Sequence, residues 1–242
     1  MDRDRALATT FGAVVGEYEQ GRPGYPDAVV DWLLPPACTQ VLDLGAGTGK
    51  LTASLVARGL AVRAVEPSDA MRERLHALFP QVDARAGTAE QTGLPDACVD
   101  AVVVGQAWHW FDEAAAAREV ARVLRPGGTL GLVWNRLDRS VPWVGRLQEL
   151  VEAAAGGPSD EPAPRLGAAF EDLEQVTVTW THRQSRESLR STVASRSYVV
   201  ALPDAERETL LGRVDELVER EVPPGPQVDV PYLSGCWRAR AR

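Results

Sequence analysis

Two acids and three alternating glycines carry the first chemical signal in this 242-residue chain: Asp43 precedes Gly45, Gly47 and Gly49, and Glu66 follows Gly49 by seventeen positions. In Val41-Leu42-Asp43-Leu44-Gly45-Ala46-Gly47-Thr48-Gly49-Lys50 an apolar run passes through the glycines into the helix-forming stretch 51–58. A strand that turns on glycines into a helix gathers backbone N–H groups and the positive end of a helix dipole at one point, which suits an anionic group. Glu66 ends the next apolar run, where a carboxylate can accept hydrogen bonds from the two hydroxyls of a ribose. The third signal is His109, set between Trp108 and Trp110. His76 falls mid-helix and His182 at a strand end, which suit structural roles, so His109 is the base nominated from sequence. The same imidazole also suits a substrate contact or a structural hydrogen bond.

These residues need a frame to bring them together. The predicted elements from residue 40 alternate: strand 41–44, helix 48–58, strand 61–65, helix 68–79, strand 82–86, strand 99–104, helix 112–124 and strand 129–134. Val- and Leu-rich strands with little polar interruption belong to a parallel sheet covered on both faces, joined by right-handed helical crossovers. Gly127-Gly128 after Arg125-Pro126 is expected to stop the fourth helix. Ahead of the sheet, Phe11, Val14, Val15 and Tyr18 have helical spacing, Arg22-Pro23-Gly24-Tyr25-Pro26 breaks it, and a second helix is predicted over 27–34. Beyond Asn135 the reading is a helix over 143–155, a loop over 156–164, a strand over 175–181, helical regions over 186–200 and 204–220, and a closing strand near 228–238. The chain reads as one α/β domain: a helical lid (1–36), a nucleoside-binding core (37–136) and acceptor-side elements with the closing strands (137–242).

Composition narrows the partners. A net charge of −8 argues against a surface that tracks nucleic-acid phosphates. Three scattered cysteines, Cys38, Cys98 and Cys236, form no C-x-x-C pair and have no histidines at ligand spacing, so neither a metal nor a disulfide is expected. No apolar run approaches the roughly 20 residues of a membrane span, and a cytoplasmic protein is expected. A single lysine, Lys50, among 26 basic residues hints at a GC-rich bacterial genome.

The ligand of the glycine turn follows from Asp43. A dinucleotide pyrophosphate would meet that carboxylate two residues before the first glycine and be repelled. A ligand with a carboxylate, an ammonium and a sulfonium avoids the conflict, and S-adenosylmethionine (SAM) carries all three. Glu66 fits NAD equally well and does not discriminate.

Val41 to Lys50, Val65-Glu66-Pro67-Ser68 with Met71, Gly87-Thr88-Ala89-Glu90 with Leu94-Pro95, Gln106-Ala107-Trp108-His109-Trp110-Phe111 and Leu124-Arg125-Pro126-Gly127-Gly128 resemble the successive motifs of the class I SAM-dependent methyltransferases. Tyr18 with Arg22 to Pro26, the Trp-His-Trp-Phe run and the closing Pro231-Tyr232 and Trp237-Arg238 are similar to the methyltransferase type 11 group that includes trans-aconitate methyltransferase-like proteins. The resemblance implies a Rossmann-like, mostly parallel seven-stranded sheet with an antiparallel last strand beside the fifth. It implies Gly45, Ala46 and Gly47 along the methionine moiety, Asp43 near its cationic part, Glu66 on the ribose, Pro67 and Met71 bordering the adenine, Ala89 and Glu90 at the adenine edge, and Gln106 beside the transferred methyl. Tyr18 and Arg22 are read as folding over the cofactor, with Tyr25 closing the lid. Tyr25, Trp108, His109, Trp110, Trp134, Arg196 and Tyr198 are the candidates for gripping a small-molecule acceptor whose nucleophile is an oxygen, carboxylate or hydroxyl. The rival readings are an NAD-dependent oxidoreductase and a non-catalytic SAM-binding protein.

Overall fold

In the computed structural model, which describes residues 22–155 and 163–242, helix α1 (Asp27–Leu33) leads into β1 (Gln40–Leu44), α2 (Lys50–Val56), β2 (Ala61–Val65), α3 (Asp69–Leu78), β3 (Asp83–Arg85), β4 (Val99–Gly105), α4 (Glu113–Val123) and β5 (Leu124–Leu137). Then follow α5 (Pro142–Ala155), β6 (Phe170–Ser185), α6 (Arg186–Ala194), α7 (Ser197–Val200), α8 (Asp204–Glu221) and β7 (Gln227–Ala241). The helix expected around Tyr18 and nearly all of the 156–164 loop lie outside the described residues. The seven strands form one sheet in the order β3-β2-β1-β4-β5-β7-β6, with β1 to β5 parallel and β7 antiparallel to both of its neighbours. This is the expected sheet, closing strand included.

Period-two alternation assigns the side chains to two layers. Val41, Ala101 and Val103 face the layer of α1 and α2, while Leu42, Leu44, Val102 and Val104 face the layer of α4. A third core belongs to the elements that follow β5, where Val144, Leu147 and Val151 of α5 and Leu210 and Val214 of α8 pack against Val228, Val230 and Tyr232 of β7. Helix α1 is pinned to the sheet because Gly131 of β5 leaves room for Leu33, and because Arg238 donates to the Trp32 carbonyl at 2.9 Å while lying 4.8 Å over its ring.

Among the boundaries that differ from the sequence reading, three have a local reason. Helix α4 ends at Val123, not at the glycines, since Leu124 is already extended and Arg125 precedes a proline, which disfavours helix. Gly127, at φ +77°, forms the turn that follows within β5. Strand β6 spans Phe170–Ser185 rather than 175–181, because its exposed face carries Thr177, Thr179 and Thr181 and only its centre reads as apolar. The 186–200 region divides into α6 and α7 at Ser195 and Arg196.

Asp43 sits at the end of β1, 1% exposed, with Oδ2 accepting from Thr52 Oγ1 at 2.6 Å. Gly49, the residue at the N-terminal boundary of α2, has no side chain to cap the helix. The carboxylate from the neighbouring strand supplies the missing acceptor at the positive end of α2. Burial raises the Asp43 carboxyl to about 7 against the lowering effect of the Thr52 hydrogen bonds, and nearby Glu66 raises it further. A carboxyl whose folded pKa lies above its ordinary value of 3.8 keeps a proton that the unfolded chain has released, so stability falls as pH rises from about 4 to about 7 and then levels off. The thermal midpoint is therefore expected to fall more steeply between about pH 5.5 and 7.5 in the wild type than in Asp43→Asn, whose amide does not ionise. Parallel slopes in a scanning calorimeter would refute this.

Candidate active site

The glycine turn closes on itself. Gly45, Gly47 and Gly49 have φ values of +70°, +56° and +92°, in the left-handed region that side chains disfavour. The Gly45 amide donates to the Val65 carbonyl at 2.9 Å, that of Ala46 to the same oxygen at 3.3 Å, and that of Gly49 to Ala46 at 3.0 Å. The Gly47 amide donates to Glu66 Oε2 at 2.9 Å, and Glu66 Oε1 accepts from the Ser68 amide at 2.9 Å. These four amides are bound within the protein and do not form an anion cradle, contrary to the simplest reading of the sequence. What they fix instead is the Glu66 carboxylate at the sheet's carboxyl edge. Burial pushes the Glu66 carboxyl up, while the Ser68 and Gly47 amides and Arg72 pull it down. Two bound amides leave acceptor capacity on both oxygens, as a ribose diol requires.

Thr48 Oγ1 in the same turn is buried without a hydrogen-bond partner, an orphan that a bound polar ligand would satisfy. Phe111 and Ala107 close against Gly45, where an added Cβ would stand 2.9 Å from the Ala107 Cβ. Across the edge, Tyr25 Oη occupies the space that a Cβ on Gly105 would take.

A model described as a methyltransferase domain matches residues 42–132. An uncharacterised methyltransferase of Mycobacterium tuberculosis is 46% identical over 239 residues, spanning 97% of each chain. An uncharacterised methyltransferase of Schizosaccharomyces pombe is 37% identical over 222 residues, 88% of each chain. The chain belongs to the class I SAM-dependent methyltransferases. Among solved structures, a candidate type II methyltransferase of Anaeromyxobacter dehalogenans is similar with a TM-score of 0.66 and 26% identity, covering 91% of this chain and 97% of that one. A Haemonchus contortus phosphoethanolamine N-methyltransferase holding S-adenosylhomocysteine shares the fold, with a TM-score of 0.51 and 14% identity, covering 88% of this chain and 51% of that one.

The methyltransferase uses SAM, and the residues fit it: a buried acid held at the strand edge and an orphaned hydroxyl in the turn. The oxidoreductase reading loses its footing, because a dinucleotide turn needs amides directed at a pyrophosphate and these are occupied. Asp43 lies beside the turn, yet its carboxylate points into α2. Ala46, Met71 and Ala89 are buried near the turn and the β2 and β3 ends, and Pro67 is exposed. Glu90 Oε1 accepts from the Asp112 amide at 2.9 Å, so its side chain tethers the start of α4.

Of the aromatic candidates, the structure separates lining from core. Trp108 is 1% exposed, donates to Glu113 at 3.0 Å and packs edge-on to Phe111, so it belongs to the core and not to an acceptor surface. Removing such a ring costs roughly 3–5 kcal/mol, so its loss would report on folding. Trp134 is likewise buried, but its indole N–H reaches His109 Nδ1 at 3.3 Å. His109 is exposed and lies 4.7 Å from the partly exposed Trp110 ring. Gln106, at φ +59°, donates from Nε2 to the Asn135 carbonyl at 3.0 Å.

Asn135 is the residue that sequence reasoning missed. Its Nδ2 donates to the Gly24 carbonyl at 3.1 Å, its Oδ1 accepts from Ser234 Oγ at 2.6 Å, and Ser234 accepts from Trp180 Nε1 at 2.9 Å. This relay ties β6, β7 and β5 to the loop that carries Tyr25. The signal available was a lone amide at the end of an apolar strand, with nothing in the sequence to name its partners.

The three cysteines are free, and burial pushes Cys38 up to about 11 and Cys236 up to about 12, so these two thiols stay protonated. Among the described residues no group of acids, histidines and cysteines could hold a metal, and no helix is long and apolar enough to cross a membrane.

Glu66→Gln leaves one carbonyl oxygen facing two amide donors and loses the charge. Charge-assisted hydrogen bonds are worth about 1.5–3 kcal/mol, so SAM affinity is expected to drop by roughly 10- to 100-fold in calorimetric titration. Unaltered affinity in the folded variant would remove Glu66 from the cofactor site.

Proposed function

We propose that this methyltransferase transfers the methyl group to an oxygen of a small-molecule acceptor, a carboxylate or hydroxyl, that enters between Gln106, His109 and the Tyr25 loop. The negative net charge supports a small acceptor over nucleic acid, and the free thiols support a cytoplasmic setting. Bound SAM, held through Glu66, would supply an electrophilic methyl to the acceptor oxygen and leave as S-adenosylhomocysteine.

The observation that carries the oxygen reading is the His109 hydrogen bond. Accepting the Trp134 N–H at Nδ1 leaves the neutral ring protonated at Nε2, so His109 presents a donor to the cleft and not a base. A donor suits an acceptor that arrives ionised, and a carboxylate needs no base. Placement can then supply most of the acceleration: holding the reactants in line contributes up to roughly 7–11 kcal/mol, against roughly 3–5 kcal/mol for a general base. On this reading Gln106 and His109 orient the acceptor, Trp110 lines its path, and Arg22 and Tyr25 form the cover.

His109→Ala is expected to leave SAM affinity unchanged and to lower turnover about 10-fold, without removing a low-pH limb from the pH–rate profile. Turnover equal to wild type would show that His109 has no role in the reaction, and loss of a low-pH limb would restore it as the base. Screening acids and alcohols with methyl-labelled SAM tests the function itself. SAM binding without transfer to any acceptor would favour the non-catalytic alternative.

A further inference from the structure

On the acceptor side, two groups lack the partners their chemistry requires. Tyr232 is 3% exposed, and its hydroxyl is buried with no hydrogen-bond partner. Its ring stacks on Trp180 at 5.1 Å and 26°, and His182 meets the pair edge-on, 6.0 Å from Trp180 and 6.4 Å from Tyr232. Arg196, half-buried at the junction of α6 and α7, gives Nη1 to Gln148 Oε1 and to Tyr198 Oη, both at 2.8 Å. Both partners are neutral, and no carboxylate among the described residues pairs with it. Arginines elsewhere show the contrast: Arg190 of α6 is taken by Asp215 at 3.0 Å and Glu208 at 2.9 Å.

Arg196 is joined to the core that holds Tyr232 through its two partners: Gln148 lies on α5, whose Val144, Leu147 and Val151 share that core with Tyr232, and Tyr198 packs against the same core. Arg22 holds the Ser195 carbonyl by a long 3.4 Å bond. A buried donor without an acceptor and a half-buried cation without a counter-ion are each costly, and one anion satisfies both. Planar guanidinium geometry and a single phenol donor match a carboxylate, and the Trp180–His182 wall offers an apolar face next to it.

We infer that Arg196 and Tyr232 form a recognition subsite for a carboxylate on the acceptor, with Trp180 and His182 flanking the acceptor's apolar part. This deepens the proposed function and rests on the acceptor side being where the substrate enters.

The probe is benzoate, with benzamide as its neutral isostere, titrated calorimetrically into the protein saturated with S-adenosylhomocysteine. Benzoate is expected to bind at least 10-fold more tightly than benzamide. Tyr232→Phe removes an orphaned hydroxyl and no existing hydrogen bond, so it is expected to keep or raise the thermal midpoint while weakening benzoate about 10-fold. Arg196→Lys, which keeps the charge, is expected to retain part of the preference over benzamide that Arg196→Gln abolishes. A midpoint that falls in Tyr232→Phe with benzoate affinity unchanged would make the residue purely structural and overturn the inference. Equal binding of acid and amide, or binding of neither to the folded protein, would also overturn it, and inorganic phosphate displacing benzoate at equal concentration would overturn the assignment to carboxylates. Because no methyl transfer is measured, failure of the acceptor screen with benzoate binding intact would count against the catalytic reading alone.

Discussion

The carboxylate of Glu66 is the knot on which the site depends. It accepts the amide of Gly47 from the turn after β1 and that of Ser68 from the turn after β2, and so joins two neighbouring strand ends through one buried charge. The turn can close this tightly because its three glycines adopt positive φ, and the space Gly45 leaves is what Phe111 and Ala107 approach. The acid is thereby held in place with acceptor capacity left on both oxygens. The cost of keeping it buried is offset by the two amides that would otherwise be unsatisfied.

The same edge carries a second acid with a different task. Asp43 and Glu66 both resist ionisation because they are buried, yet Asp43 faces α2 and completes the end of a helix that begins on glycine. Two neighbouring strand ends thus hold two buried acids, and the direction of each carboxylate sets what it binds. A second frame is the relay from Trp180 through Ser234 and Asn135 to Gly24. It runs across strands β6, β7 and β5 to the loop that carries Tyr25, so these strands and that loop share one hydrogen-bonded frame.

Much of the nucleotide half was legible because its signals are local. A strand, a glycine turn and a helix follow one another in the chain, and burial on both faces gives β1 and β4 apolar runs interrupted only by Asp43 and Asp100. The acceptor half was less legible, since its elements meet through pairings far apart in sequence, such as Asn135 with Ser234 and Trp180 with Tyr232. Local chemistry also misled in places: an aromatic run that suggested a binding wall sends Trp108 into the core while leaving Trp110 and His109 outside. Nothing in the spacing of that run distinguishes the inward ring from the outward one, because a short helical turn points its three side chains in different directions.

The sequence by itself determined the order of strands and helices, the family and the identity of the methyl donor, since these rest on contiguous motifs whose physics is contained within a few residues. Tertiary structure alone decided where each side chain points: Asp43 into a helix end, four turn amides inward, the His109 ring against Trp134, and Arg190 to two acids while Arg196 keeps only neutral partners. The reason is that hydrogen bonding and ion pairing act over about 3–4 Å. At that range the deciding partner is the residue that folding brings near, whatever its distance along the chain.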